Sequence, residues 1–523
     1  MDSATIQPPP LVRPSKTSRL RESFIPSLCD VFFLAVIAWS FQTAETGWRR
    51  LLWDGDVALH TAIGNWVLEH GQAPVRDPFS FTLPGAPWLA VEWGTGVVFA
   101  ALDHALGLKG IVFLSGVLIA ALITVLLRTM LTARANTLFA LLVALLASNA
   151  LSLHYHARPH LFTLLFIAIA AWILTKDRSP DDGASGEEGR TRWIWLLPPL
   201  TILWVNLHPG FAILFAYLGV LVAGSALERA FGNGSREATV RYAGLTAACG
   251  AATFVNPFGW KLHAEILSYF QARGMTDLIQ EFQAPSFRTS PQLYFMVFLL
   301  AGIALCGLFL SQRRFIEPLL ILGLAYASLT SVRHSTIFVV IVAPIVAAEL
   351  SVYWRTFALR QPRGSVARIL EGLSTEKRAE FSRNSIWALA GLAAIFVWAP
   401  REQWPTAFDT KLFPVAMAAR HPEFATARMF TTEQWADYLL YRNYPRQRVF
   451  YDDRSFYGEK MFRTVRDLLN GASGWQATLD GYHTDLVMIE PGSLLAGRVR
   501  DDPAWKLIDS DKTALLFARQ RAQ

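Results

Sequence analysis

The chain has 523 residues, 53% of them hydrophobic and only 17% charged, with a mean hydropathy of +0.30. A soluble domain of this size carries about a quarter charged residues, so the composition excludes a wholly soluble protein and points to a polytopic membrane protein. The formal net charge of +7 is accounted for by the distribution of Lys and Arg among loops, and no nucleic-acid partner is needed to explain it.

Residues 1–25 form a basic, Pro-rich tail with Arg13, Lys16, Arg19 and Arg21. About eleven membrane-length apolar runs follow by the hydropathy criterion, centred on 26–44, 110–131, 136–152, 159–175, 193–207, 210–228, 240–256, 293–311, 315–332, 335–353 and 385–400. The first lacks a small-residue cleavage site and is read as an anchor that stays. Every second loop is basic, from Arg128/Arg134 through Lys176/Arg178 and Arg229/Arg236 to Arg313/Arg314 and the cluster Arg355–Arg383. The positive-inside rule then places the N-terminus in the cytoplasm and the chain from 401 onward outside. Cys29, Cys249 and Cys306 lie in apolar runs and read as small buried hydrophobes.

With that orientation all eleven histidines fall outside or at outer membrane ends. The outer segments read Asp54-Gly55-Asp56…His60, Glu92-Trp93, His154-Tyr155-His156-Ala157-Arg158-Pro159-His160, Asn206-Leu207-His208-Pro209, Asn256-Pro257, Gln280-Glu281-Phe282 and Arg333-His334. Ionisable groups at a membrane boundary are costly enough to suggest work. The first outer loop, 45–109, holds Leu59, Ala62, Ile63, Trp66 and Val67 at helical spacing, which predicts an amphipathic helix over 56–69 lying in the interface. Asp56 and His60, four residues apart, share one face of it. N-capping explains one carboxylate of the Asp54-Gly55-Asp56 pair and not both. Turns follow at Pro74, Asp77-Pro78 and Pro84–Pro87, then a second helical stretch over 88–106 with Glu92 near its start. Arg158 and Arg333 stand against the charge trend, either paired with loop carboxylates or free to hold an anion.

Residues 177–192 read as a solvated linker and 355–384 as a basic connection resting on lipid. From 401 to 523 the composition is soluble. Arg448–Tyr451, Asp485–Ile489, Trp505–Ile508 and Thr513–Phe517 predict strands, and 459–470 and 474–482 predict helices. Asp452, Asp453, Arg454 and Tyr457 follow the first strand. The pattern fits a small α/β domain with a partly parallel sheet, suited to recognition or packing. The whole is mainly α: a polytopic helical membrane domain over 26–400 with a small C-terminal α/β extracytoplasmic domain.

This arrangement resembles the GT-C superfamily of integral-membrane glycosyltransferases, which includes protein O-mannosyltransferases and aminoarabinose transferases. The likeness rests on an acidic motif (Asp54-Gly55-Asp56) early in a long first outer loop, interface helices there, many spans and an outer C-terminal domain. It is also similar to bacterial membrane proteins of unassigned function carrying Asp-x-Asp-x-x-x-His (Asp54 to His60), Asp-Pro-Phe-Ser-Phe (Asp77 to Phe81) and Glu-Trp (Glu92-Trp93). The resemblance implies transfer of a sugar from a polyprenyl-phosphate carrier to an acceptor hydroxyl (glycan, lipid or protein) at the outer face of a bacterial cytoplasmic membrane, with inversion. In that scheme Asp56 is the general base and Asp54 the second choice. Glu92 and His60 orient the acceptor or the base, or bind a cation, and Arg158 and Arg333 hold the leaving phosphate. His154, His156, His160, His208 and His334 complete the candidate substrate-binding set. Mg²⁺ or Mn²⁺ on Asp54 and Asp56 is compatible with the motif and not required by it. The alternatives are a transporter or flippase of a lipid-linked saccharide, which calls for charge at mid-membrane, and a non-catalytic scaffold.

Overall fold

The computed structural model describes residues 24–42, 47–179, 192–271, 280–383, 385–398 and 404–520. The tail residues Arg13 to Arg21 and most of the linker 177–192 lie outside the described residues. The protein is a polytopic helical membrane protein with a small C-terminal sheet. A helix covers the centre of every expected span. Among the described residues, six helices are long and apolar enough to cross a membrane: Leu108–Thr132, Thr137–His154, His160–Arg178, Pro209–Ala230, Ser290–Ser311 and Val332–Arg360. Leu28–Phe41, Trp193–Leu207, Ile316–Thr330 and Trp387–Trp398 are apolar but shorter, and Arg236–Ala252 is a helix of more mixed composition. The three cysteines are buried and free.

Local chemistry sets the helix ends. Asn136 accepts the N–H groups of Leu138 and Phe139 with its Oδ1, capping Thr137–Leu151. Its amide also donates to Glu371 (2.7 Å). Arg355 binds the same Glu371 (3.1 Å), so the helix Val366–Ser382 is fastened across the ends of two long helices. At the same kind of boundary Arg178 and Arg314 meet Glu317 (2.5 and 3.1 Å) and Arg241 meets Asp177 (2.8 Å). These charges sit in pairs near helix termini, where they cost least.

The first loop departs from the sequence reading. Asp56–His70 is a helix as expected, but Asp56 through Gly64 are all buried, so it does not lie as an interfacial helix with one wet face. It is packed on one side against Trp93–Leu106 and on another against Glu433–Asn443. Glycine makes the first contact possible: a Cβ at Gly96 would lie 2.8 Å from the His60 carbonyl, and one at Gly64 would collide with the Gly96 carbonyl. On the other side Leu59, Ala62 and Ile63 form one apolar cluster with Ala436, Leu440 and Val449.

The C-terminal sheet has strands β1 (Met429–Phe430), β2 (Leu486–Ile489), β3 (Trp505–Ser510) and β4 (Leu515–Arg519) in the order β1-β2-β4-β3. β1 and β2 are parallel and the other pairs antiparallel, matching the expected partly parallel sheet. The predicted strand 448–451 is reduced to single bridges from Val449 to Met429 and to Ser80. Its backbone is shared: the Val449 N–H donates to the Phe79 carbonyl and the Val449 carbonyl accepts from Phe81, both 3.0 Å. The Asp77–Phe81 motif thereby seals the first loop to the C-terminal region. Arg454 completes the seam, with Nη1 on Asp77 (2.8 Å) and Nη2 on Asp452 (2.6 Å), packed among Phe79, Trp88 and Phe456.

Candidate active site

The helix Asp56–His70 starts at Gly55, whose N–H donates to Oε1 of Gln434 (2.5 Å). A side chain at Gly55 would stand 2.9 Å from the Gln434 carbonyl and 3.1 Å from Oδ2 of Asp437. Just before the N-cap Gly55, Asp54 accepts the Asp56 N–H with its Oδ1 at 3.0 Å. Its other oxygen faces Arg158 Nη1 at 3.1 Å. Both acids therefore meet the same guanidinium, and Asp54 also secures the first turn of the helix.

Arg158 comes from the turn between the helices Thr137–Leu151 and His160–Arg178, and it is the hub of the site. Its Nε pairs with Asp56 Oδ2, and its Nη1 also meets Glu281 Oε1 at 2.8 Å. Asp453 hydrogen-bonds Asp56 from the C-terminal side. Burial pushes the Asp56 carboxyl up, but Arg158 and the Asp453 hydrogen bond outweigh it and hold Asp56 below the usual carboxylate range. Burial and the negative charge of Asp56 push Asp54 up to about 6. The same two causes hold Asp453 well above the ordinary range, so Asp453 carries the shared proton and donates it. Behind it Asp437 is fully buried, and burial with the charges of Asp452 and Asp56 holds it well above the ordinary carboxylate range too.

A second polar centre lies where Glu92 begins the helix Trp93–Leu106. Its Oε2 meets His60 Nε2 and its Oε1 meets His208 Nε2, each at 3.2 Å. The tautomer of His208 follows from its other nitrogen. Nδ1 takes the Gly210 N–H (2.9 Å) and the Thr163 hydroxyl (2.8 Å), while Thr163 accepts from Trp204 Nε1 (2.7 Å). With donors on Nδ1, the proton of His208 resides on Nε2 and points at Glu92. Burial and the charge of Asp56 raise Glu92 to about 8, and burial lowers His60 to about 4. At neutral pH this centre holds a protonated carboxyl between two neutral imidazoles.

The remaining predicted site residues divide by their partners. His160 Nε2 bonds the His154 carbonyl (2.8 Å), His154 Nδ1 meets Thr336 (3.1 Å), and His334 Nδ1 meets the Ala327 carbonyl (3.2 Å). These three are engaged by the scaffold. His156 is lowered to about 4 by burial and the neighbouring Arg158. Arg333 rests over the Phe282 ring at 4.7 Å and makes no ion pair among the described residues, yet its charge acts on Glu92, His208 and Glu281. The two arginines thus separate: Arg158 is neutralised by carboxylates, and Arg333 is available. Glu281 and Asp453 enter the site although sequence reasoning placed neither among the site residues. A position beside Phe282 at an outer end, and one just after a strand, were the only signals. Thr163 gave none.

Asp54, Asp56 and Asp453 each offer an oxygen within 4.8 Å of the others. That donor set suits Mg²⁺ or Mn²⁺, although Arg158 already supplies counter-charge to two of the three. Two cavities border the elements that carry these groups. One of about 650 Å³ is walled by Trp93, Ile202, Leu203, Phe254 and Val255 with Asn206 and Asn256. The other, of about 410 Å³, lies on the C-terminal side beside Trp53, Glu433 and Gln434.

Against solved structures the chain is similar to the oligosaccharyltransferase AglB of Archaeoglobus fulgidus. In the complex tethered to an acceptor peptide, the TM-score is 0.57 at 12% identity, over 94% of this chain and 74% of that one. In the complex with an inhibitory peptide and a dolichol-phosphate, it is 0.55 at 12% identity, over 88% and 69%. The chain shares the fold of that oligosaccharyltransferase. ArnT from Cupriavidus metallidurans in the apo state aligns at a TM-score of 0.49 and 12% identity, over 93% of this chain and 97% of that one. No protein-family model and no curated protein matches the sequence.

Proposed function

We propose that the protein is a membrane glycosyltransferase that moves a sugar from a polyprenyl-phosphate carrier to an acceptor hydroxyl at the outer face of a bacterial cytoplasmic membrane, with the N-terminus cytoplasmic. The observation that carries this reading is the buried knot of Arg158 with Asp54, Asp56 and Glu281, joined through the helix Asp56–His70 to the Glu92–His60–His208 centre. Solved GT-C neighbours in complex with a dolichol-phosphate and with an acceptor peptide are consistent with a lipid-linked donor on one side of such a site and an acceptor on the other.

Both acids give an oxygen to Arg158, and their basicity favours Asp54 over Asp56 as general base. Asp56 has one oxygen on Arg158 and a hydrogen bond from Asp453, and it is held in the weakly basic range. Asp54, raised to about 6, is ionised at neutral pH and a better proton acceptor. In the step, Asp54 takes the acceptor hydroxyl proton and the hydroxyl oxygen bonds the anomeric carbon. The bond from that carbon to the phosphate oxygen breaks, and the polyprenyl phosphate leaves with the electron pair. A single displacement inverts the anomeric carbon. Arg333 is the charge available to the leaving phosphate, and the apolar cavity along Trp93, Leu203 and Phe254 suits the start of the prenyl chain. A divalent cation, where used, would be held by Asp54, Asp56 and Asp453 and would add positive charge beside the phosphate.

The test is transfer of labelled sugar from polyprenyl phosphate in membrane vesicles. Asp54→Asn should lower the rate by about 10²–10⁴-fold with normal insertion. Undiminished transfer by both Asp54→Asn and Asp56→Asn would remove the acids from the chemistry.

A further inference from the structure

The cavity on the C-terminal side has a lining that no part of the reaction above uses. Its wall is apolar for the most part, with Phe413, Phe462 and Leu469 beside Trp53, 42% exposed, and Tyr451, and its rim carries the polar groups of Glu433, Gln434, Arg466 and Glu490. It adjoins the acids directly: Gln434 binds the N–H of Gly55, between Asp54 and Asp56, and Glu433 is raised by burial together with the charges of Asp56 and Asp54. At about 410 Å³ it falls in the range of small-ligand pockets.

Its chemistry narrows the occupant. An extended peptide docks by adding to a sheet edge, and no strand residue lines this cavity. The free side of β1 is taken by Val449, which is itself bonded to Phe79 and Phe81. A phosphorylated or otherwise anionic head group would meet Glu433 and Glu490 in the wall and Asp54 and Asp56 beyond it, against one Arg466. A lipid tail has its own apolar cavity beside Trp93, Leu203 and Phe254. Flat aromatic faces beside carboxylate and amide oxygens suit a ring with C–H faces and O–H or N–H edges.

We infer that this pocket is the acceptor subsite and that it takes a neutral or amino sugar ring, so that the acceptor is a saccharide. This rests on the reading that Asp54 and Asp56 are the transfer centre, and it adds the acceptor class. Trp53 and Tyr451 stack on the ring, and Glu433, Gln434 and Glu490 receive its hydroxyl protons, with one hydroxyl directed past Gln434 toward Asp54.

The experiment is saturation-transfer NMR on the full chain in lipid nanodiscs, without donor. The probes are cellobiose, di-N-acetylchitobiose and maltose, set against the tripeptide Gly-Ser-Gly and glycerol 1-phosphate. At least one disaccharide should respond, and Trp53→Ala should weaken that response about tenfold, the loss of one aromatic stack. Glu490→Gln, an exposed change that leaves folding alone, should weaken it several-fold. A response to the peptide or glycerol phosphate alone overturns the inference. So does silence from all three disaccharides, or a sugar response untouched by both variants. Because donor is absent, failure here with Asp54-dependent transfer intact sinks only the acceptor assignment. Sugar binding with transfer indifferent to both Asp→Asn variants sinks only the transfer centre.

Discussion

Replacing Arg158 with Met tests the electrostatic design of the site most directly. The guanidinium is 22% exposed and contacts three carboxylates, with Asp54 at 3.1 Å and Glu281 at 2.8 Å beside the tight pair to Asp56. Stripping the partner from a buried pair costs about 3–5 kcal/mol, because the remaining charge is left uncompensated. Here three acids lose their partner, so the upper end of that range is expected, softened where protonation neutralises them. Tryptophan fluorescence during heating in nanodiscs reads the loss as a midpoint lower by several degrees. The pH dependence carries the sharper signature. In the wild type Asp56 lies below its ordinary pKa, so its contribution is present above the unfolded value and is lost only as pH falls through the folded one. Without Arg158, burial governs and the same carboxyls move above their ordinary values. A raised carboxyl stabilises the fold below its unfolded pKa and loses that contribution as pH rises through the folded value. The variant midpoint should therefore climb more steeply than wild type from pH about 8 to about 5. Adding Asp56→Asn should return part of the loss, with a coupling of about 1–3 kcal/mol. An Arg158→Met protein with the wild-type midpoint and the wild-type pH slope would refute the reasoning.

Other outcomes follow from single contacts. Glu92, raised to about 8, binds an extra proton in the folded state between its unfolded value of about 4.5 and pH about 8, so stability should fall across that window as pH rises; Glu92→Gln should flatten this slope in a thermal-melt series. Gly210→Ala would set a Cβ 2.5 Å from Thr163 Oγ1 and 2.7 Å from His208 Nδ1. Displacing His208 from Glu92 should cut sugar transfer by at least about tenfold while insertion stays normal. Asp437, buried and held well above the ordinary carboxylate range, is isosteric with the amide. Asp437→Asn should change stability by about 1 kcal/mol or less, and a large drop in melting midpoint would mean that its carboxyl is charged.

Much of the architecture was legible in the chain because the bilayer imposes one-dimensional rules. Apolar runs of membrane length gave a helix at every expected place. The short apolar runs Leu486–Ile489 and Leu515–Phe517 and the helical segments 459–470 and 474–482 gave the C-terminal elements, since a short apolar run in a soluble stretch marks a buried strand. The helix at 56–69 was also readable, but its surroundings were not. Its apolar stripe, Leu59, Ala62, Ile63 and Val67, looks the same whether it faces lipid or protein, and only tertiary packing placed it between Trp93–Leu106 and Glu433–Asn443. The site was legible as an inventory: Asp54, Asp56, His60, Glu92, Arg158 and His208 all carry costly polar groups in an apolar chain. Their pairing was not, because it joins segments separated by 104 positions for Asp54 and Arg158, and by far more for Asp56 and Asp453. The sequence by itself determined that charge gathers at the membrane boundary. Only the folded chain decided which acid meets which base, since pKa values and tautomers depend on burial and on neighbours within a few ångströms, and neither is a property of sequence spacing.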